Sequence, residues 1–345
     1  NSSEVSLNKY ADLWVNSKRG TNTVLVNGIA KAVIDRGLAD KTFIKARTEG
    51  FEDFRRSIGN LDLGSISEIT GVDTEKLAQL MDVLTKTDLN VIAVYNIDSV
   101  WEKSRNDLKA LGNLMMLTGR VGKAGNGIII LRDFSNSQGL LDMGVNPGYL
   151  PGNVRPENKA GEAALGALWG MDLETIFKPA DLKEQLEKEA VKALVIFGED
   201  PLYLTSNLRF TGGAEFTVVV DSFMTSTAAE ADVVLPASLP NETAGSYTAC
   251  DRRVQHFPRI FASRTGMETW QVIARLAEEL GSPFAITSTE DISKEIQKAN
   301  PFYKGDGGAY FWGNGFLAER FMTQSGKGLF MPLLIDLAPF SFDKK

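Results

Sequence analysis

The sequence predicts an α/β fold with two Rossmann-like three-layer αβα domains, mainly parallel sheets, and an extended tail rich in glycine and aromatic residues. The 345 residues are 43% apolar, which is enough for two ordinary domains with buried cores. Segments with apolar residues at helical spacing alternate with short β-prone runs. Such alternation is typical of parallel strands joined by helical crossovers.

The first part of the chain, to about residue 131, alternates between helical and extended patterns. The third predicted helix opens with a Ser-x-x-Asp capping pattern at Ser104 and is closed by Gly119. An uninterrupted β-prone run before it predicts a buried strand. The strand, helix and strand over 90–131 form a crossover unit of a parallel sheet. We expect helices over 21–35, 73–85 and 104–117, and strands over 90–96 and 127–131.

A second α/β unit follows a polar connection after residue 153. Its expected helices cover 181–189 and 267–281, and its expected strands cover 193–197, 217–220 and 232–235. From Asn300 onward, glycine and aromatic residues predict extended wrapping segments. We therefore expect the C-terminal part of one Rossmann-like domain, a second Rossmann-like domain, and a helix with an extended tail, over 1–132, 133–265 and 266–345.

Composition excludes several classes of protein. The formal net charge of −7 argues against nucleic acid as the main partner. There is no apolar run of about 18 residues that would predict a membrane span, and the first residues lack the regions of a signal peptide. The single cysteine, Cys250, and the single histidine, His256, exclude an internal disulfide, an iron–sulfur cluster held by this chain alone and a multi-histidine metal site. We expect no metal ligands here, and the reducing cytoplasm as the compartment.

A polar loop over 131–151 follows the strand at 127–131 and has too many Gly, Asn, Ser and Pro residues for a regular element. Long loops after strands are more often functional than not. The loop carries Arg132 at its start, followed by Asn136 and Gln138. Arg132 is either an exposed turn residue or a fixed cation that binds a carboxylate with its planar fork. The amides suit a ring system rich in donors and acceptors.

Acidic residues follow two of the predicted strands. Gly198, Glu199 and Asp200 come after the strand at 193–197, and Asp221 comes after the strand at 217–220. Open parallel sheets bind ligands beyond the carboxyl ends of their strands, and such carboxylates can accept hydrogen bonds from guanine or ribose. Acids at strand ends are also common as turn residues and helix caps. No GxGxxG pattern follows either strand, which argues against an ordinary NAD site.

Three segments carry a family resemblance. They are LMMLTGRVGKAGNGIIILRDFSNSQGLLDMGVNPGYLPG at 114–152, VKALVIFGEDPLY at 191–203, and the stretch from VVVDSFMTSTAAEADVVLP to CDRRVQHF at 218–257. These segments resemble the molybdopterin oxidoreductase superfamily, and most of all the formate dehydrogenase alpha subunits. The similarity runs along nearly the whole chain. Its motifs include LTG, GxxGxG, an arginine followed by QG and DMG, GE[ND]P, and D-x-F-x-T-x-T.

The resemblance implies specific roles. Arg132 would bind and orient formate, or another small oxyanion, beside the metal. The expected cofactor is molybdopterin guanine dinucleotide with molybdenum or tungsten, and the chemistry is two-electron oxidation of formate to carbon dioxide. Iron–sulfur clusters would enter only through other segments or through iron–sulfur or flavin subunits. The residues expected to contact the cofactor are Asn136, Gln138, Gly198, Glu199, Asp200, Asp221 and Thr225.

The sequence also departs from the family pattern. Asp133 and Phe134 stand where the family has glycine and glutamine. We expect the family's cysteine-rich segment with its metal-binding cysteine or selenocysteine, and its final dinucleotide-binding domain, to be missing here, as in a fragment, a split subunit or a reduced relative. The alternative function is a metal-free scaffold related to the large iron–sulfur subunit of NADH-quinone oxidoreductase. A third class, a nucleotide-binding regulator, fits the strand-end acids but not the Arg132 loop.

Overall fold

A computed structural model divides the chain into two compact units, which are described separately. The first comprises Asn1–Asp133 and Gly313–Lys345, and the second comprises Phe134–Trp312. Helices and parallel sheets occur in both units, which confirms the predicted α/β class. No helix within the described part of the chain is long and apolar enough to cross a membrane. The structure describes residues 3–86, 89–97, 101–146, 148–176, 182–188, 191–204, 213–304, 310–311 and 316–332.

The first unit is mainly helical, and aspartate side chains cap several of its helices. Asp40 accepts a hydrogen bond from the amide of Phe43 (2.9 Å), and Asp62 forms a capping box with Ser65. Capping of this kind satisfies amides that have no partner inside the helix. The elements are α1 (Asn22–Asp35), α2 (Lys41–Arg47), β1 (Thr48–Glu49), α3 (Phe51–Ser57), α4 (Leu63–Thr70), α5 (Thr74–Leu84), β2 (Ile92–Asn96), α6 (Trp101–Leu117), β3 (Gly127–Leu131) and β10 (Gly328–Leu329).

The predicted crossover unit is present. β2 and β3 pair in parallel, in register from Ile92 with Gly127 to Asn96 with Leu131, and α6 connects them. Two details of the prediction are wrong. The helix begins at Trp101 and not at Ser104, and Asp107 accepts tertiary hydrogen bonds from Asn22, Thr23 and Tyr95. The strand is also half-exposed, because alternate residues such as Val94, 60% exposed, lie on an open face of the sheet among the described residues.

The segment 316–332 belongs to the core of the first unit. β10 pairs in parallel with β1, and the amide of Phe330 donates to the carbonyl of Glu49 (2.9 Å). The Phe330 ring is 1% exposed and stacks on the fully buried ring of Phe54, with 5.3 Å between the ring centroids. Phe51 packs against the same ring edge to face, at 5.5 Å. A segment predicted as extended wrapping therefore closes the hydrophobic core of this unit.

The second unit contains the predicted parallel strands. β4 pairs with β5 and β5 pairs with β6, both in parallel, and Ile196 of β4 and Val219 of β5 are buried. The ends predicted for the helix at 181–189 lie outside the described residues. The elements are α7 (Ser137–Asp142), α8 (Lys159–Trp169), α9 (Leu173–Ile176), α10 (Leu182–Glu187), β4 (Val191–Phe197), α11 (Pro201–Leu204), β5 (Ala214–Asp221), α12 (Ser226–Ala229), β6 (Val233–Pro236), β7 (Gly245–Thr248), β8 (Arg253–Phe257), α13 (Thr269–Glu279), α14 (Thr289–Ala299) and β9 (Tyr310–Phe311).

Several features of the second unit were not predicted from the sequence. The loop after β3 is not wholly irregular, because it contains α7, a helix of six residues in which a glycine weakens the local helical signal. α14 lies in a stretch with no predicted element and begins where Ser288 caps the amide of Asp291. β7, β8 and β9 form an antiparallel sheet, which is separate from the parallel sheet of β4, β5 and β6. The pairing of β8 with β9 joins segments that are distant along the chain, and such pairing leaves little trace in local sequence patterns.

Candidate functional site

Arg132 lies directly after β3, at the carboxyl end of a parallel strand in the first unit. Its side chain is half-buried, and burial lowers the pKa of the guanidinium. It forms no ion pair or hydrogen bond with the part of the chain that the structure describes. A desolvated guanidinium in this state is prepared to bind an anion, and its planar fork matches a carboxylate.

The other seven predicted residues lie in the second unit, in two groups. The first group contains Asn136, whose Oδ1 accepts a hydrogen bond from the amide of Thr248 on β7 (2.9 Å). This close approach depends on Gly139, since a Cβ there would lie 2.2 Å from Asn136 Oδ1. The Nδ2 atom of Asn136 has no partner among the described residues. It is therefore a hydrogen-bond donor that a ligand could use.

Gln138 belongs to the same group and binds a buried acid. Its Nε2 donates to Oδ1 of Asp142 (2.9 Å), which also accepts from Asn153 (3.2 Å). The hydroxyl of Tyr303 donates to the other carboxylate oxygen (2.9 Å). Burial raises the pKa of Asp142, while these three donors and the nearby charge of Arg252 act in the opposite direction. Sequence reasoning missed Asp142 and Tyr303, although the DMG motif contained the aspartate.

Arg252 and Arg253, two neighbouring arginines of the matched CDRRVQHF segment, differ in their surroundings. Burial lowers the pKa of Arg252, and the charge of Asp142 opposes this effect. Arg253 is exposed, with 3.6 Å between its Nε and Oδ2 of Asp251. The electrostatic contact of Arg252 with Asp142 supports a bracing role for that residue.

The second group lies at the carboxyl ends of β4 and β5. Gly198 follows β4 with a φ of 62°, a conformation that favours glycine, and no atom would lie within 4 Å of an added Cβ. Glu199 is exposed beside it. Asp200 accepts three hydrogen bonds, from the hydroxyl of Thr227 (2.6 Å), its amide (3.0 Å) and the amide of Ser226 (3.3 Å). The Thr227 hydroxyl is the largest cause that lowers the pKa of Asp200.

Asp221 and Thr225 also make local hydrogen bonds. Asp221 Oδ1 accepts from the amide of Phe223 (2.9 Å), and Thr225 Oγ1 accepts from the amide of Ala228 at the start of α12 (3.1 Å). The structure thus brings Asp200 and the start of α12 together, and it shows the turn and cap roles that the sequence left open. The 71%-exposed ring of Phe223, within the matched motif, adds an aromatic face that could stack on a heterocycle.

The described residues include no group of three or more His, Cys, Asp or Glu side chains that could hold a metal ion. The donor set instead suits an organic ligand. In the second unit these donors include the Nδ2 group of Asn136, at the start of α7, and the open glycine turn at Gly198, directly after β4. These features fit a bulky anionic cofactor with a heterocyclic ring.

Fold and site together define a class, the open parallel-sheet proteins that bind ligands of nucleotide type beyond their strand ends. A model for the molybdopterin oxidoreductase family matches residues 2–279. The chain belongs to the molybdopterin oxidoreductase family. This confirms the resemblance that the motifs indicated.

Individual relatives agree with this assignment. The chain is 30% identical over 305 residues to formate dehydrogenase H of Escherichia coli strain K12, covering 86% of this chain and 43% of that protein. It is 32% identical over 351 residues to the F420-dependent formate dehydrogenase subunit alpha of Methanocaldococcus jannaschii, covering 94% and 51%. Acetylene hydratase from Pelobacter acetylenicus shares the fold with a TM-score of 0.65 at 17% identity, covering 99% of this chain and 53% of that one.

The chain spans about half the length of the curated relatives it matches. Formate is not the only substrate that their names suggest. The assimilatory nitrate reductase catalytic subunit of Bacillus subtilis strain 168 is 29% identical over 311 residues, covering 86% of this chain and 43% of that protein. Family membership implies a molybdopterin cofactor with molybdenum or tungsten. Formate oxidation is a narrower function than family membership by itself implies.

Proposed function

We propose that this chain is part of an enzyme that oxidises formate to carbon dioxide by two electrons at a molybdenum or tungsten centre. The observation that carries the proposal is Arg132, a half-buried guanidinium at a strand end without a partner among the described residues. A desolvated arginine fork binds a small carboxylate in two parallel hydrogen bonds. The formate dehydrogenase names of two relatives support the same substrate.

The predicted site residues have three different proposed roles. Arg132 would bind the formate carboxylate and orient it, and the bound cofactor would supply the two-electron oxidation that converts formate to carbon dioxide and a proton. Asn136 and Gln138 hold the pterin ring. The remaining five residues hold the dinucleotide part of molybdopterin guanine dinucleotide, namely Gly198, Glu199, Asp200, Asp221 and Thr225. The bound cofactor supplies the redox chemistry, and the protein supplies position and charge.

Other polypeptide completes the proposed enzyme. The iron–sulfur cluster, the protein ligand of the metal and the final dinucleotide-binding domain are assigned to further segments of the same enzyme or to iron–sulfur or flavin subunits. The half-length coverage of the relatives supports this assignment. We further propose the domain bounds 1–132, 133–265 and 266–345 and a cytoplasmic location, which agrees with the low cysteine content of the sequence.

The test is Arg132→Lys in the intact native enzyme. Lysine keeps the charge but loses the fork, so the KM for formate should rise about tenfold or more, corresponding to roughly 1.4 kcal/mol of lost binding. The control is Arg253→Lys, at an exposed arginine paired locally with Asp251, which should leave the KM unchanged. Equal KM values for wild type and Arg132→Lys would contradict the role of Arg132. Parallel assays with nitrate decide between the two oxyanions that the relatives' names suggest.

A second candidate is the metal-free scaffold, and one observation favours it. Asp133 and Phe134 replace the family's glycine and glutamine, and the Phe134 ring is 65% exposed, where the family has a polar side chain. Elemental analysis of the intact native complex separates the two functions. Molybdenum or tungsten at about one atom per chain supports the enzyme, and the absence of both supports the scaffold.

A further inference from the structure

A closed ring of hydrogen bonds fixes the side-chain amides of Asn136 and Gln138. The amide of Thr248 donates to Asn136 Oδ1 (2.9 Å), and the Thr248 hydroxyl lies 2.6 Å from the Tyr303 hydroxyl. Tyr303 donates to Asp142 (2.9 Å), and Asp142 accepts from Gln138 (2.9 Å). The short peptide between Gln138 and Asn136 completes the ring, which joins α7, β7 and the segment after α14.

The direction of each bond follows from the chemistry of the groups. A backbone N–H can only donate, so the Asn136 atom that faces Thr248 is the amide oxygen. A carboxylate can only accept, so Gln138 presents its NH₂ group to Asp142, and the Tyr303 hydroxyl donates its one hydrogen bond to the same acid. The Thr248 hydroxyl must then donate to Tyr303. Neither amide can turn over without leaving two donors or two acceptors face to face.

The atoms left over have fixed polarity. Asn136 keeps its Nδ2, a donor, and Gln138 keeps its Oε1, an acceptor, and neither atom has a partner among the described residues. We propose that this donor and acceptor pair reads the lactam edge of a fused pyrimidinone ring, where a carbonyl oxygen stands next to an N–H group. The pterin ring and the guanine base both have this edge. The inference rests on the proposed function, because it assigns the pair to the cofactor proposed above.

The decisive variant is Asn136→Asp in the intact native protein. Aspartate still accepts the bond from Thr248, so the urea midpoint of unfolding should stay the same, but its second oxygen replaces the donor with an acceptor. The release rate of pterin, followed by the fluorescence of its oxidised form, should rise about 10- to 100-fold. The matched control is Asn158→Asp, where the exposed Asn158 Oδ1 likewise accepts from a backbone amide, that of Gly161 (3.0 Å). It should leave the release rate unchanged.

Calorimetry with GMP on the metal-free protein identifies which ring is read. Weaker GMP binding by Asn136→Asp assigns the pair to guanine, and unchanged GMP binding with faster pterin release assigns it to the pterin. If neither quantity changes while wild-type protein contains pterin, the inference is wrong and the proposed function stands. If wild-type protein contains no pterin, the proposed function fails and this inference fails with it.

Tyr303→Phe tests the ring by a different route. It removes one donor from the buried Asp142 carboxylate, which Arg252 also faces. A proton then enters the carboxyl group more easily and allows Gln138 to turn over. Pterin release by this variant should therefore begin to accelerate at a higher pH than release by the wild type does. Parallel pH profiles for the two proteins would refute the coupling of Gln138 to Asp142.

Discussion

Phe330→Ala tests whether the segment 316–332 belongs to the core of the first unit. The ring is 1% exposed, stacks on Phe54 and meets Phe51 at its edge. Replacing a buried phenylalanine with alanine removes its transfer energy and leaves a cavity, at a cost of about 3–5 kcal/mol. This cost already includes the loss of the ring contacts of Phe330 with Phe54 and Phe51. A loss of this size is a large fraction of the stability of an ordinary domain.

The assay is urea unfolding of the intact native protein, monitored by tryptophan fluorescence and by circular dichroism. The midpoint should fall for the transition that includes the first unit, with little change in slope. Phe284→Ala is the matched control, because its ring is 50% exposed in the second unit and the substitution should cost no more than about 0.5 kcal/mol. A loss below about 1 kcal/mol for Phe330→Ala would refute the packing described for this segment.

Two further predictions concern buried polar groups. Asn27 in α1 is fully buried, and neither its Oδ1 nor its Nδ2 has a hydrogen-bond partner in the part of the chain that the structure describes. Asn27→Leu should therefore raise the free energy of unfolding by about 1 kcal/mol in urea titrations, and a decrease would contradict the burial cost assigned to the amide. Burial raises the pKa of Asp142 above its ordinary value of 3.8, although Tyr303 and Arg252 oppose the shift. The stability that this acid contributes is complete below about pH 3.8 and is lost as the pH rises through its folded-state pKa. The unfolding free energy of wild type relative to Asp142→Asn should accordingly fall with rising pH, and a difference that grows would show that the donors outweigh burial.

Much of the parallel framework was visible in the sequence. Strands such as 127–131 are short β-prone runs between helices, and the β4 and β5 strands extend the predicted ones by only a few residues. Arg132 was placed correctly at a strand end because parallel topology alone fixes where a residue after a strand must lie. These features depend on the local spacing of apolar residues and on how neighbouring strands and helices are connected, and both can be seen in short stretches of sequence.

The hydrogen-bond partners of the site were not visible. Asp200 was an open candidate for ribose, yet its carboxylate accepts three bonds from Ser226 and Thr227. Asp107 looked like part of a helix cap and instead joins α6 to α1 and β2. In each case the partner lies more than ten residues away along the chain. The sequence does not show whether the acceptor oxygen of a polar side chain is hydrogen-bonded within the protein or is available to a ligand.

The sequence by itself determined the α/β class, the parallel crossover units and the family, because periodicity, turn residues and motifs are local properties of the chain. Tertiary structure alone decided which polar groups remain available. Asn136 and Gln138 are two residues apart in the sequence, but the orientation of their amide groups is set by Thr248 and Asp142. Asp142 in turn accepts a hydrogen bond from Tyr303, which is 161 residues away along the chain. The physical reason is that a hydrogen bond depends on the position of two groups in space, and only the fold brings them together.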